Sequence, residues 1–281
     1  MTMHLRAVSA SLLLLGALQG TAPSPAEVQQ GAGAPSAAER ALAEALAAGG
    51  VDVDFAAGAL SIEAAVLIKG DLLEYLLVGP GGAAHESLFL TEVTPSVLNA
   101  GMLALGVEKG TNATWEGVEP APTLEERRKG KQPFRVVPPS GDGFYIYAAW
   151  REGGQVYYYR VDDLIANLKT GRSMVRHVWV FLGSTFIEPG PGKDEVFAAD
   201  LEQNLVNLTF FREGHTLATA ALPDCEDQSI WAANPWLLPE REARVRLIFA
   251  RGPLAELPAA WAAGLPVVAA PEEPAEGTGG G

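Results

Sequence analysis

The sequence predicts an α+β fold: a mostly antiparallel β-sheet domain with one well-defined helix at about residues 95–105 and one or two short helices. Three observations carry that expectation. Short runs rich in Val, Ile and aromatic residues recur from Val51 onward, separated by Gly, Pro and Asp. Between them, one stretch is well signalled as a helix. The turns are tight and crossover helices few, so neighbouring strands are expected to run antiparallel.

The first element in chain order is a short helix. In SAAERALAEALAAGG, Ser36 and Glu39 form a capping box, and Gly49–Gly50 can stop the helix. Leu42 and Leu46 at i, i+4 leave it a narrow apolar stripe. Strand-like runs follow: VDVDF, IEAAVLI, LLEYLLV, ESLFLTE, FRVV, FYIYAAW, VYYYRV, VWVFLG, VFAAD, LVNLTFF and RVRLIFA. The clear helix lies after ESLFLTE. Thr94 can cap it, Pro95 suits its first position and Gly106 its end. Leu98, Met102 and Leu105 share one of its faces. A shorter helix is expected from Asp162 to Leu168, and a weaker third within PLAELPAAWAAG. The clearest hairpin is FYIYAAWREGGQVYYYRV. A two-residue turn at Gly153–Gly154 pairs Trp150 with Tyr157, Ala148 with Tyr159 and Ile146 with Val161, and on the other face Ala149 with Tyr158 and Tyr147 with Arg160. Such an aromatic row can stack sugars or cations, but a core face accounts for the same alternation.

The organisation expected is a signal peptide at 1–22, a linker and short helix at 23–50, a single domain at 51–270 and a disordered tail at 271–281. Arg6 supplies a positive n-region, and the mostly apolar Ala7–Leu18 run has the length of a signal h-region, too short to span a bilayer. Cleavage is expected near Gly20–Ala26, and no cysteine lies there to carry a lipid. Beyond it no apolar run reaches a membrane span. The formal charge of −14 disfavours nucleic acid as a partner. The basic cluster Arg127, Arg128, Lys129 and Lys131 follows two glutamates and reads as a solvated loop. A single cysteine, Cys225, leaves no disulfide framework, no four-cysteine iron–sulfur cluster and no multi-cysteine zinc site; no cofactor is evident.

GPGGAAHESLFL, residues 79–90, carries the strongest candidate chemistry. GPGGAA fits G-x-G-x-x-A after a strand. The dinucleotide fingerprint, however, needs a following helix, and here a strand-like run and Pro95 follow instead. The hairpin reading makes Gly79, Gly81 and Gly82 turn residues between two antiparallel strands. His85 and Ser87 then point to one face, about 6.6–6.8 Å apart along the strand, with Glu86 on the other. A register opposing Val78 to His85 adds Glu74 to the His85 face. Glu74, His85, Glu86 and Ser87 are therefore the candidate functional residues, with His85 and Glu86 the candidate metal ligands. Polar residues at a loop mouth equally serve to satisfy backbone groups. Ser87 also lacks the strand–turn–helix elbow of a catalytic serine. His177 and His215 have no metal-type partner at i+2 or i+4, and Asp162–Asp163 read as helix caps. Asp224, Glu226 and Asp227 around Cys225 would raise its thiol pKa. NAT at Asn112 and NLT at Asn207 match the glycosylation sequon, which matters only in a eukaryotic secretory pathway.

The stretch LLEYLLVGPGGAAHESLFLTEVTPSVLNAGMLALGV resembles the core of the YdjY-type domain family of exported bacterial proteins. The resemblance rests on Leu73-Glu74-Tyr75, the glycine turn, His85-Glu86-Ser87-Leu88 and the Pro95 helix, with WVFLGSTF and VFAAD downstream. It covers about Val51 to Leu208. A lysine common in the family's turn is replaced by Ala83 and Ala84. The family has no established reaction; some relatives carry ferredoxin-type iron–sulfur modules, which implies redox company. The leading expectation is an exported, periplasmic or secreted, soluble module that binds a small ligand or an envelope protein at the His85 face. The alternatives are a metal-dependent or hydrolytic enzyme using the His85-Glu86-Ser87 block, and an accessory to envelope electron transfer.

Overall fold

The computed structural model describes residues 36–269. The expected signal peptide, most of the linker and the expected C-terminal tail lie outside them. The strands, in chain order, are β1 (Val51–Asp54), β2 (Ala59–Val66), β3 (Tyr75–Val78), β4 (Ser87–Leu90), β5 (Thr114–Gly117), β6 (Phe134–Val137), β7 (Gly143–Glu152), β8 (Gln155–Arg160), β9 (Ile165–Asn167), β10 (Arg172–Ser173), β11 (Trp179–Phe181), β12 (Phe186–Ile187), β13 (Val196–Phe197), β14 (Asn204–Asn207), β15 (Ala218–Thr219), β16 (Trp231–Ala233), β17 (Arg244–Ala250) and β18 (Val267–Val268). The helices are α1 (Ala37–Ala48), α2 (Pro95–Ala104), α3 (Leu124–Arg128), α4 (Ala198–Glu202) and α5 (Ala259–Ala262).

The architecture is a closed barrel of eight strands, in the order β2-β17-β7-β11-β15-β14-β3-β4 and back to β2. This overturns the α+β expectation of an antiparallel sheet with one defined helix: the chain is mostly β, its helices are short, and the barrel is mixed. The pairs β3–β4 and β14–β15 are parallel, while the other barrel pairs are antiparallel. The physical reason lies in the connections. Tight, glycine-bearing links were read as hairpins, yet Gly79–Glu86 carries the chain back alongside β3 and restarts it in the same direction. Closure also depends on β17, which enters between β2 and β7 from far along the sequence.

Alternation of side chains fills the interior, as an eight-stranded barrel requires. Leu60, Ile62, Ala64 and Val66 of β2, Phe144, Ile146, Ala148 and Trp150 of β7, and Val245, Leu247 and Phe249 of β17 belong to one buried core. Phe144 meets Phe181 and Phe249 edge to face at 6.0 and 6.1 Å. The outward residues of β7 and β17, Tyr147, Ala149, Ile248 and Ala250, are buried under Trp261 of α5 and Leu265.

The β7–β8 hairpin has the expected register, with Trp150 opposite Tyr157 and Tyr147 opposite Arg160. Gly153 and Gly154 both take positive φ, as the two-residue turn demands. Its aromatic row packs on the core: buried Trp150 stacks on half-buried Tyr157, and buried Tyr147 on half-buried Tyr158. The Pro95 helix forms as α2, with Leu98 and Met102 buried, and Ser36–Glu39 closes the capping box of α1. The helix expected from Asp162 to Leu168 is instead a single 3₁₀ turn, Val161–Leu164, followed by β9. There Ile165 and Asn167 are buried while Ala166 pairs with Ala232 of β16, an alternation that only sheet pairing satisfies.

Candidate functional site

The glycine stretch is a strap crossing the start of β14. Gln203, the residue after α4, adopts a left-handed backbone with φ 55°, which is costly for a non-glycine residue. That conformation presents its carbonyl to the Gly79 N–H, which donates to it at 2.7 Å, while the Gly81 N–H donates to the Gln203 Oε1, also at 2.7 Å. The Ala83 N–H donates to Asn204 Oδ1. A Cβ on Gly82 would overlap the Gln203 carbonyl oxygen and stand 2.8 Å from Asn204 Oδ1. The glycines therefore serve close backbone approach, and neither a nucleotide cradle nor a hairpin turn.

The strap delivers the expected residues to places other than the sequence register implied. Ala84–Glu86 is a 3₁₀ turn, not strand. His85 is exposed there, and its Nε2 lies 3.5 Å from Glu86 Oε1. Ser87 opens β4 and is buried, its hydroxyl donating to the Phe89 carbonyl. The structure thus brings His85, Glu86 and Glu74 together and withdraws Ser87 from them. Burial raises the Glu74 pKa, and the Glu86 carboxylate raises it further, opposed by His85. Among the described residues, no group of three or more His, Cys, Asp and Glu side chains is arranged to hold a metal ion.

Beside this turn opens a cleft of about 230 Å³, lined by Tyr75, Glu202, Asn207, Phe211, Glu213 and His215 among others. Tyr75 sits between two neighbours in register, Ser87 on β4 and Asn207 on β14. Its ring stacks on Phe211 with centroids 5.0 Å apart. Asn207 is 6% exposed, and its Oδ1 has no hydrogen-bond partner among the described residues. Across the cleft His215 Nδ1 meets Glu202 Oε1 at 2.6 Å. Burial pushes the Tyr75 hydroxyl up to about 12, reinforced in turn by Glu74, Glu86, Glu202 and Glu213. Four carboxylates thus bear on one phenol at the cleft, and the described lining includes no lysine or arginine. The arrangement can orient a small polar ligand against the Tyr75–Phe211 stack.

Sequence reasoning set His215 aside for want of a local partner. That partner, Glu202, lies 13 residues away and reaches it only through the α4 corner. Asn207 was seen only as part of a sequon, but its burial leaves no room for a glycan. A second polar cluster was missed in the same way. Asp162 is fully buried; its Oδ2 accepts from Arg160 Nε at 3.0 Å, and its Oδ1 lies 2.9 Å from His177 Nδ1. It is a buried ion-pair centre, not a helix cap. Cys225 is buried, and burial pushes its thiol pKa well above the ordinary range, in the expected direction. The basic cluster is solvated as expected but is not a loop: Arg127 and Arg128 end the capped helix α3, and Lys129 and Lys131 pair with Glu125 and Glu126 in solvent.

A family model, the YdjY domain, matches residues 51–207, more than half of the 281 residues. No curated protein and no solved structure matches the chain.

Proposed function

This chain belongs to the YdjY domain family, and we propose that it serves as an exported, non-catalytic binding module of the cell envelope whose ligand site is the cleft beside Tyr75. The observation that carries the reading is Asn207: a nearly buried amide oxygen without a partner, lining a concave site against a stacked aromatic pair. An unmet buried acceptor costs about 1–3 kcal/mol, a deficit that a ligand donor removes. Export is supported by Arg6 and the Ala7–Leu18 run that follows it. The hydrolytic reading on His85, Glu86 and Ser87 gains nothing from this geometry, because the Ser87 hydroxyl donates to its own strand instead of facing His85.

The test is a solution NMR titration of the purified protein with a panel of small amines, polyols and carboxylates, following the Tyr75 ring and Asn207 side-chain signals. At least one class is expected to shift both, and Asn207→Leu is expected to weaken that binding at least tenfold. A panel that moves neither signal would sink the proposal.

A further inference from the structure

The ligand class can be argued from the charges at the same cleft. We infer that the Tyr75 cleft takes a small primary alkylammonium ion; this rests on the cleft being a ligand site. Glu202 and Glu213 line it, and Glu74 and Glu86 lie close enough to act on the same tyrosine. The described lining holds no lysine or arginine: Arg212, beside Glu213, is turned onto the Trp115 ring at 4.3 Å, and only Glu202 is met by a neighbour of the lining, His215 at 2.6 Å. Acidity alone would describe only a solvated rim. The second observation is Asn207 Oδ1, which accepts hydrogen bonds, is sheltered from water and has no donor among the described residues.

Together these groups specify a ligand that carries positive charge and donates N–H bonds. An inorganic cation would need a ligand cluster that the described residues do not form. A quaternary ammonium brings charge but no donor, so Asn207 would stay unmet. A primary ammonium brings three donors on one charge. It can give one to Asn207 and direct the others toward the Glu202 and Glu213 carboxylates, while its alkyl chain lies along the Tyr75–Phe211 stack. At about 230 Å³ the cleft suits a chain of a few carbons.

The experiment titrates the whole exported chain at neutral pH with n-butylamine and 1,4-diaminobutane, and in parallel with 1-butanol and butyrate. The amines are expected to shift the Tyr75 and Asn207 signals, at least tenfold more tightly than either isostere. Glu213→Gln, at an exposed position that leaves folding intact, and Glu202→Gln are each expected to weaken the amines three- to tenfold, with no effect on 1-butanol. Butanol or butyrate binding as tightly as the amines, or amine affinity unmoved by both Glu→Gln changes, would overturn the ammonium assignment while leaving the cleft a ligand site. No shift with any of the four probes, in protein that remains folded, would overturn the assignment, and failure of the wider panel as well would remove the site itself.

Discussion

At the scale of single residues, Asp162 answers for two buried neighbours at once. Replacing it with Ala strands the Arg160 guanidinium, 10% exposed, without its counter-charge, and a buried pair broken on one side costs about 3–5 kcal/mol. Urea unfolding of Asp162→Ala should show a loss of that size, with the slope of the transition unchanged. A loss under about 1 kcal/mol would mean that Arg160 is held chiefly by the Tyr145 and Tyr147 rings it overlies. Residues of this kind were hard to read in the sequence. Asp162 has the look of a cap, and His177, 15 residues on, becomes its partner only when the chain returns past it. His215 and Asn207 were opaque for the same reason: each acquires its meaning from a neighbour on another element. For Cys225 the direction of the thiol shift was legible but its main cause was not: the acidic turn predicted it, whereas burial in the core dominates.

At the scale of elements, the strap fixes where the His85 turn and the cleft stand relative to each other. Gly82→Ala should destabilise the protein by about 1–3 kcal/mol, since its methyl would push against the Gln203 carbonyl, the Asn204 amide and the Val78 Cβ. Gly117→Ala, with open space around the new methyl, is the control and should be nearly neutral. Equal melting temperatures for the two variants would contradict the strap. Elements set by local chemistry were legible: the capping box of α1, the proline start of α2 and the Gly153–Gly154 turn with its register as far as Tyr147–Arg160, beyond which Val161 turns into a 3₁₀ turn instead of pairing with Ile146. The direction of β4 was not. Nothing within Gly79–Leu90 distinguishes a link that folds back from one that carries the chain around and restarts it; the decision is made by Gln203 and Asn204, more than a hundred residues later.

At the scale of the whole molecule, recognition and folding have different limits. The family match ends at residue 207, yet the barrel needs β15 and β17 beyond it. β17 pairs through seven residues with β2 and through five with β7. A fragment of residues 51–207 therefore leaves two long apolar strand edges open, a known route to aggregation. It should elute as aggregate, without dispersed amide signals, whereas residues 36–269 should be monomeric and folded. A folded, monomeric 51–207 fragment would show that the barrel is not the cooperative unit. The even acidity of the chain, formal charge −14, also favours approach of small cations over anions.

The position of β17 has a consequence in time. Its register partners on β2 are made some 180 residues earlier, which at ordinary ribosomal speeds is a delay of roughly 10–40 s. The other staves are made one by one during that interval, and at its end only the one that locks them is missing. Until β17 has emerged, the edges of β2 and β7 that it joins stay open, so the barrel cannot close during synthesis before residue 250 is made.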